Sequence, residues 1–254
     1  MTSAALPGRG IPQAPQNVQA RQARRVLLLS LSVTALLYVI PGGGLIGYPL
    51  VLLSTFVHEV AHGLTAVLVG GRFLDLRVFA DGSGAALTAT NGGALQRAAV
   101  AAGGLIGPAI AAGVGFTLGR RPRTARVTLL VGSLLLMVMA VLWVRSLVGW
   151  FVVIGLIAVS LGVGLAIRQD HWSQLWLIFL SVQLGLSVFS RGEYLFASSA
   201  TTGAGFGPSD SSAISDALFL PYWFWGGVCG LFSLAVLAYG AWLFLRTALS
   251  SQDG

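Results

Sequence analysis

The segment His58-Glu-Val-Ala-His62 carries two imidazoles four residues apart, with a carboxylate beside the first. In a helix, residues four positions apart lie on one face, so both imidazoles can bind a single metal ion. Zinc is the ion that suits such a site, and it lowers the pKa of a bound water towards neutrality. Glu59 is placed to accept a proton from that water and to deliver it to a leaving amine.

Short motifs of this kind also arise by chance, but the composition of the chain argues against that here. The protein has three histidines and two glutamates, and the motif contains two of the former and one of the latter. Ionisable groups are costly in apolar segments and usually have a function there. The alternative is a polar cluster that forms hydrogen bonds between helices without binding a metal.

A catalytic zinc site needs a third protein ligand. The candidates are Asp75, Asp81, His171, Glu193, Asp210 and Asp216. The first two lie too close to the motif in sequence to fold back easily, and His171 stands beside Trp172, which favours a headgroup contact. Asp210 and Asp216 both precede the last apolar run, and from chemistry alone they remain equal alternatives. Asp210 also sits at a good helix start, where a capping role would explain it.

The elements around these residues are membrane spans. Hydrophobic residues make up 56% of the chain, charged residues only 9%, and the mean hydropathy is +0.83. Soluble domains carry about 25% charged residues, so lipid is the expected solvent. We predict an all-α polytopic membrane protein with six or seven transmembrane helices and one small β-hairpin. The predicted spans are residues 26–41, 46–70, 96–118, 126–144, 147–167, 172–190 and 222–245.

The flanks of the apolar region predict the domain organisation. Residues 1–24 are rich in Pro, Gln, Ala and Arg, so we expect a disordered basic tail. Residues 25–246 form the transmembrane domain, and residues 247–254 form a short C-terminal tail. The protein is expected in a bacterial cell membrane as a multi-pass protein.

The net charge of +7 does not indicate nucleic-acid binding. All fifteen basic residues are arginines, and they stand between the apolar runs, where they act as topology signals and headgroup contacts. No basic patch is interleaved with aromatic residues in the manner of single-strand binders. The expected partners are therefore the lipid bilayer and membrane-spanning protein substrates, without nucleic acid. The single cysteine, Cys229, excludes an internal disulfide.

Two segments do not read as spans. Within residues 72–91, apolar and polar side chains alternate over Leu74–Val78, and Ala85–Thr90 suit a return strand after the turn Asp81-Gly-Ser-Gly84. This pattern predicts a β-hairpin at the interface or against the bundle. Two roles remain open for this hairpin: its edge pairs with an extended peptide, or it is a connection without further function. Residues 191–221 are rich in Gly, Ser, Thr and Ala, and we interpret them as a functional or disordered loop.

The order of these motifs resembles the site-2 protease family of membrane-embedded zinc metallopeptidases, and most closely a short bacterial branch without a PDZ domain. The matching segments are Phe56–Arg72 with the metal motif, the Asp81–Gly84 turn, the Gly-rich residues 101–109, and the segment 209–226 that begins with Ser-Asp. An Asn-Pro-Asp-Gly motif of better-known members is not found, so their substrates and regulation are not transferred.

The resemblance implies that His58 and His62 are metal ligands and Glu59 is the base. It also implies that Asp210 is the third ligand, with Asp216 as the fallback. We expect the Gly-rich segment to pack beside the metal helix. The predicted function is intramembrane hydrolysis of peptide bonds with Zn²⁺ as cofactor. The alternatives are a catalytically silent scaffold, against which the intact Glu59 argues, and a transporter, which would need ionisable groups on several spans.

Overall fold

The computed structural model describes residues 16–167, 169–190 and 195–249, and within them six helices are long and apolar enough to cross a membrane. They correspond to the second to seventh predicted spans and confirm the predicted fold class. The six are Gly43–Leu68 (α2), Ala94–Leu118 (α3), Pro122–Trp143 (α4), Leu147–Ala166 (α5 with a π-helical last turn), Asp170–Phe189 within α6, and Tyr222–Arg246 within α8.

The first helix, α1, extends from Gln16 to Val39 and so includes residues 16–24 of the predicted disordered tail. The segment contains Gln, Arg and Ala, which are good helix formers, and it lacks Pro and Gly, so the helix can extend beyond its apolar part. The remainder of the predicted tail lies outside the described residues. The helix ends just before Pro41 and Gly42, where the glycine adopts a positive φ of 78°.

The predicted hairpin is present as β1 (Arg72–Val78) and β2 (Gly84–Ala89), which pair antiparallel. Its outer β1 edge is covered by the turn between α4 and α5. The Trp143 indole donates to Phe73 O (3.0 Å), Arg145 N–H donates to Leu76 O (2.9 Å), and Val78 N–H donates to Ser146 Oγ (2.9 Å). Protein rather than lipid therefore satisfies these backbone groups, as strand edges within a membrane protein require.

The hairpin also lies along α2, as predicted for a hairpin placed against the bundle. Its turn is closed by Asp81, whose Oδ1 accepts hydrogen bonds from Ser83 N–H (2.9 Å) and Ser83 Oγ (2.6 Å). These two bonds lower the pKa of the Asp81 carboxyl. Thr55 of α2 donates its hydroxyl to Gly82 O (2.6 Å), and the Tyr48 hydroxyl donates to Ala80 O.

A second hairpin lies where the sequence predicted only a loop. β3 (Ser199–Thr202) and β4 (Gly205–Pro208) pair antiparallel through a turn in which Gly205 has a φ of 126°. The short helix α7 follows at Asp210–Leu218, and α8 is Tyr222–Leu249. The loop interpretation of residues 191–221 is therefore wrong over these elements, because four-residue strands leave almost no periodic signal.

The Gly-rich segment of α3 packs directly against α2, which confirms its predicted packing role. A Cβ atom at Gly103 would lie 2.1 Å from Thr65 Oγ1, and one at Gly107 would lie 2.2 Å from Ala61 Cβ. Only residues without a side chain allow the two backbones to approach so closely. This contact sets the distance between the helix that carries the two histidines and the helix behind them.

Candidate active site

Helix α2 presents His58 and His62 on one face, with their Nε2 atoms 3.1 Å apart and their rings nearly perpendicular at 85°. The Nδ1 atom of His62 lies 2.8 Å from Val100 O on α3. A carbonyl oxygen only accepts, so Nδ1 donates this hydrogen bond and Nε2 is the ring atom that can face a metal ion. A backbone partner of this kind orients a metal-binding imidazole.

The space for the His62 ring comes from Gly104. A Cβ atom at this position would lie 2.2 Å from both Cε1 and Nε2 of the ring. Any side chain at Gly104 would therefore displace the imidazole or separate α3 from α2. The Gly-rich segment thus shapes the site as well as the helix packing.

Asp210 is the first residue of α7 and brings its carboxylate to both imidazoles. Its Oδ2 atom lies 2.9 Å from His58 Nε2 and 3.3 Å from His62 Nε2. Burial alone would raise the pKa of Asp210, but the facing imidazoles hold it well below its usual range. The capping role at this helix belongs to Ser209, whose Oγ accepts from Ser212 N–H at 3.2 Å.

Three serines fix the start of α7 to the segment before β3. Ser209 Oγ donates to Ala197 O at 2.5 Å, Ser211 Oγ donates to the same carbonyl at 3.3 Å, and Ser212 Oγ donates to Ser198 O at 2.7 Å. Ser209 and Ser211 are almost completely buried. The position of Asp210 is therefore coupled to the base of the second hairpin.

Glu59 is buried beside this cluster, with 6% of its surface exposed. Its carboxylate accepts a hydrogen bond from the backbone of Ala86 on β2. Gly84 lies against it, since a Cβ there would be 2.6 Å from Glu59 Cγ and 2.7 Å from Thr55 Cγ2. The first hairpin therefore positions the carboxylate that the motif supplies.

An open cavity of about 450 Å³ connects these groups. One wall is β2, another is the N-terminal half of α3, and the third is formed by the second hairpin and α7. The lining residues used below are Glu59, Ala86, Thr88, Thr90, Arg97 and Asp210. The cavity is large enough for a segment of peptide and for water, which a hydrolytic site needs.

The donor set fits a zinc ion. Two imidazole nitrogens and one carboxylate oxygen, from His58, His62 and Asp210, lie within 4.8 Å of one another. A tetrahedral zinc with bonds of about 2.0–2.1 Å separates its ligand atoms by roughly 3.3 Å, and the three observed separations are 2.9, 3.1 and 3.3 Å. Three protein ligands leave one position open, which is the pattern of catalytic rather than structural zinc.

The other candidate ligands lie elsewhere. Asp216 is exposed on α7, and Asp75 is paired with Arg77 at 3.6 Å. Asp81 closes the hairpin turn, and the His171 ring packs near that of Trp172 with centroids 5.4 Å apart. Glu193 lies outside the described residues. The turn, Gly-rich and Ser-Asp motifs contained Gly84, Gly104 and the serines around Asp210. The sequence did not predict that the two glycines lie against Glu59 and His62, or that the serines bond to the segment before β3.

Residues 29–240 match the Peptidase M50B-like family. The chain belongs to this family. The match confirms the resemblance to site-2 proteases and supports an integral membrane protein with a metallopeptidase-type fold. Searches of curated protein sequences and of solved structures gave no match. The matched residues of this M50B-like chain include His58, His62 and Asp210 of the cluster described above.

Proposed function

We propose that this M50B-like protein is an intramembrane zinc endopeptidase that hydrolyses peptide bonds of membrane-spanning proteins. The observation that carries the proposal is the convergence of His58, His62 and Asp210 on one point, with Glu59 buried beside them. We assign the first three as metal ligands and Glu59 as the general acid and base. When bound, zinc would polarise the peptide carbonyl and increase the acidity of water.

Glu59 has the position that proton transfer requires. Its carboxylate lines the cavity and is oriented by the Ala86 backbone. It takes a proton from the attacking water as the new C–O bond forms, and it gives that proton to the amide nitrogen as the C–N bond breaks. The products are a carboxylate and an amine.

The edge of β2 offers a way to hold the substrate. Leu76 and Phe73 of β1 direct their carbonyls towards the α4–α5 turn, away from β2. In an antiparallel pair, two residues that face each other direct their backbone N–H and C=O groups the same way, either both towards the partner strand or both away from it. Ala86 faces Leu76 and Thr88 faces Phe73, so the backbone groups of Ala86 and Thr88 also point away from the hairpin. Both line the cavity, so an unwound substrate segment can add as a strand that pairs with the Ala86 carbonyl and with Thr88, while the Ala86 N–H stays with Glu59. Unwinding is needed because a helix occupies its own carbonyl groups.

The test compares the wild-type protein with Glu59→Gln and His58→Ala after expression and purification. We expect wild-type and Glu59→Gln protein to contain about one zinc per chain by plasma mass spectrometry, and His58→Ala to contain almost none. New protein N-termini in the membranes of the expressing cells, measured by mass spectrometry, should appear only with the wild type. Equal cleavage by Glu59→Gln would overturn the proposal, and zinc binding without any wild-type cleavage would favour a silent scaffold.

A further inference from the structure

Arg97 brings a positive charge into the cavity that contains the candidate active site. The residue lies on α3, three positions before Val100, whose carbonyl contacts His62. Its guanidinium donates to Gly92 O, shortly after the end of β2. The charge therefore lies at the end of the cavity where β2 leaves the sheet.

No described acidic residue pairs with Arg97. The four ion pairs among residues 16–167, 169–190 and 195–249 include Arg77 with Asp75 and Arg126 with Asp170, but none includes Arg97. The acidic groups that line the cavity, Glu59 and Asp210, would be balanced by a divalent ion. The cavity then keeps one positive charge, which favours an anionic occupant.

The strand geometry gives the position of that occupant. Ala86 contacts Glu59, so the scissile bond of a bound peptide would lie beside Ala86. Thr90, which also lines the cavity, is four residues further along the chain. At about 3.3 Å per residue, the two positions are roughly 13 Å apart. A peptide strand along β2 would therefore place a side chain near Arg97 about three to five residues from the scissile bond.

We propose that Arg97 is a specificity residue that selects substrates with Asp or Glu three to five residues from the cleaved bond, on the side of the β2 exit. The proposal rests on the endopeptidase function and on the β2 edge as the binding strand. It favours a peptide carboxylate over a lipid phosphate because Arg97 lines the same cavity as the metal cluster. A phosphate contact with the bilayer is the outcome that would oppose it.

The experiment uses transmembrane peptides with a fluorophore and a quencher, which differ only in one residue. Glu, Gln or Lys is placed four residues before the scissile bond in one set and four residues after it in another. Wild type, Arg97→Gln, Arg97→Glu and the control Arg123→Gln are compared in zwitterionic micelles, with and without phosphatidylglycerol. Arg123 is an exposed arginine in the first turn of α4, away from the cavity.

In one of the two sets, wild type and Arg123→Gln should cleave the Glu peptide about fivefold better than the Lys peptide, chiefly through KM. Arg97→Gln should remove the difference, and Arg97→Glu should reverse it. If all variants cleaved the Glu, Gln and Lys peptides in the same order of preference, the proposal would be overturned. So would an Arg97 effect that appears only with phosphatidylglycerol and is equal for all peptides.

A binding measurement separates this proposal from the proposed function. Fluorescence anisotropy of the same peptides with Glu59→Gln protein should show the same charge order, with reversal in the Glu59→Gln, Arg97→Glu double variant. Charge-ordered binding without wild-type hydrolysis would contradict the peptidase function and leave the Arg97 contact supported. Hydrolysis without any charge order would support the peptidase function and overturn the role of Arg97.

Discussion

The Oδ2 atom of Asp210 lies 2.9 Å from Nε2 of His58, although the two residues belong to helices that are far apart in the sequence. The histidine belongs to a long apolar helix, whereas the aspartate begins a nine-residue helix after a small hairpin. The cluster is therefore complete only when the second hairpin is docked on the bundle. Metal binding and the packing of residues 197–212 should depend on each other.

The first prediction concerns the third ligand. Asp210→Ala should reduce bound zinc from about one per chain to near zero, because two imidazoles alone bind zinc weakly. Asp216→Ala should keep the metal, since that side chain is exposed and separate from the cluster. Zinc content by plasma mass spectrometry after gel filtration checks both.

Asp210→Asn is a control that separates loss of the ligand from misfolding, since it keeps the shape of the side chain and removes its charge. We expect it to elute at the wild-type volume with reduced zinc. Full zinc in this variant together with loss of zinc in Asp216→Ala would assign the ligand to Asp216 instead.

The second prediction concerns the glycine behind His62. Gly104→Ala would place a Cβ 2.2 Å from the imidazole, so zinc affinity and hydrolysis should both decrease by at least tenfold. Gly132→Ala on α4 is the matched control, because a Cβ there meets nothing within 4 Å. A helical Gly→Ala change in open space stabilises by about 0.5–1 kcal/mol, so the control should unfold at an equal or higher temperature. Competition with a zinc-selective dye measures the affinity, and equal affinities in the two variants would contradict the role of Gly104.

The sequence predicted the features that have a strong local pattern. Apolar runs of sufficient length marked α2 to α6 and α8, and the alternation around Asp81–Gly84 marked the first hairpin. The helical spacing of His58 and His62 placed both rings on one face without any knowledge of the rest of the chain.

The sequence could not predict what depends on tertiary contacts. The second hairpin has weak propensity of its own, and its turn docks on the first hairpin, where Gly203 N–H donates to Ser83 Oγ at 2.9 Å. Chemistry alone left Asp210 and Asp216 as equal alternatives, and only the resemblance favoured Asp210, because the choice depends on the direction in which α7 faces. Serine hydroxyls bonded to Ala197 O and Ser198 O set that direction, and no periodicity reveals such bonds.

The third prediction distinguishes the positioning of the general base, Glu59, from the binding of zinc. Gly84→Ala would place a Cβ 2.6 Å from Glu59 Cγ, so the carboxylate must move while the three ligands stay in place. We expect normal zinc content with kcat reduced by at least tenfold. Gly207→Ala on β4 has open space around its Cβ and should retain kcat. Loss of zinc together with activity would show that the first hairpin supports the ligands as well.

The last prediction concerns the serines that hold Asp210. Ser209→Ala removes the helix cap, worth about 1 kcal/mol, and also the hydrogen bond to Ala197 O. The start of α7 should then become less fixed, and zinc affinity should decrease by about 10–100-fold, as for other residues that orient metal ligands. Ser215→Ala on the same helix is the control, since α7 keeps its cap and both bonds to Ala197 O.

A merely structural role for Ser209 would lower the unfolding temperature of the zinc-free protein and leave zinc affinity unchanged. A positioning role lowers the affinity even where the zinc-free protein remains folded. Ser209→Thr keeps a hydroxyl that can cap the helix and donate to Ala197 O, so it should restore most of the affinity. Failure of Ser209→Thr to bind zinc better than Ser209→Ala would contradict the assignment of this hydroxyl as the group that positions Asp210.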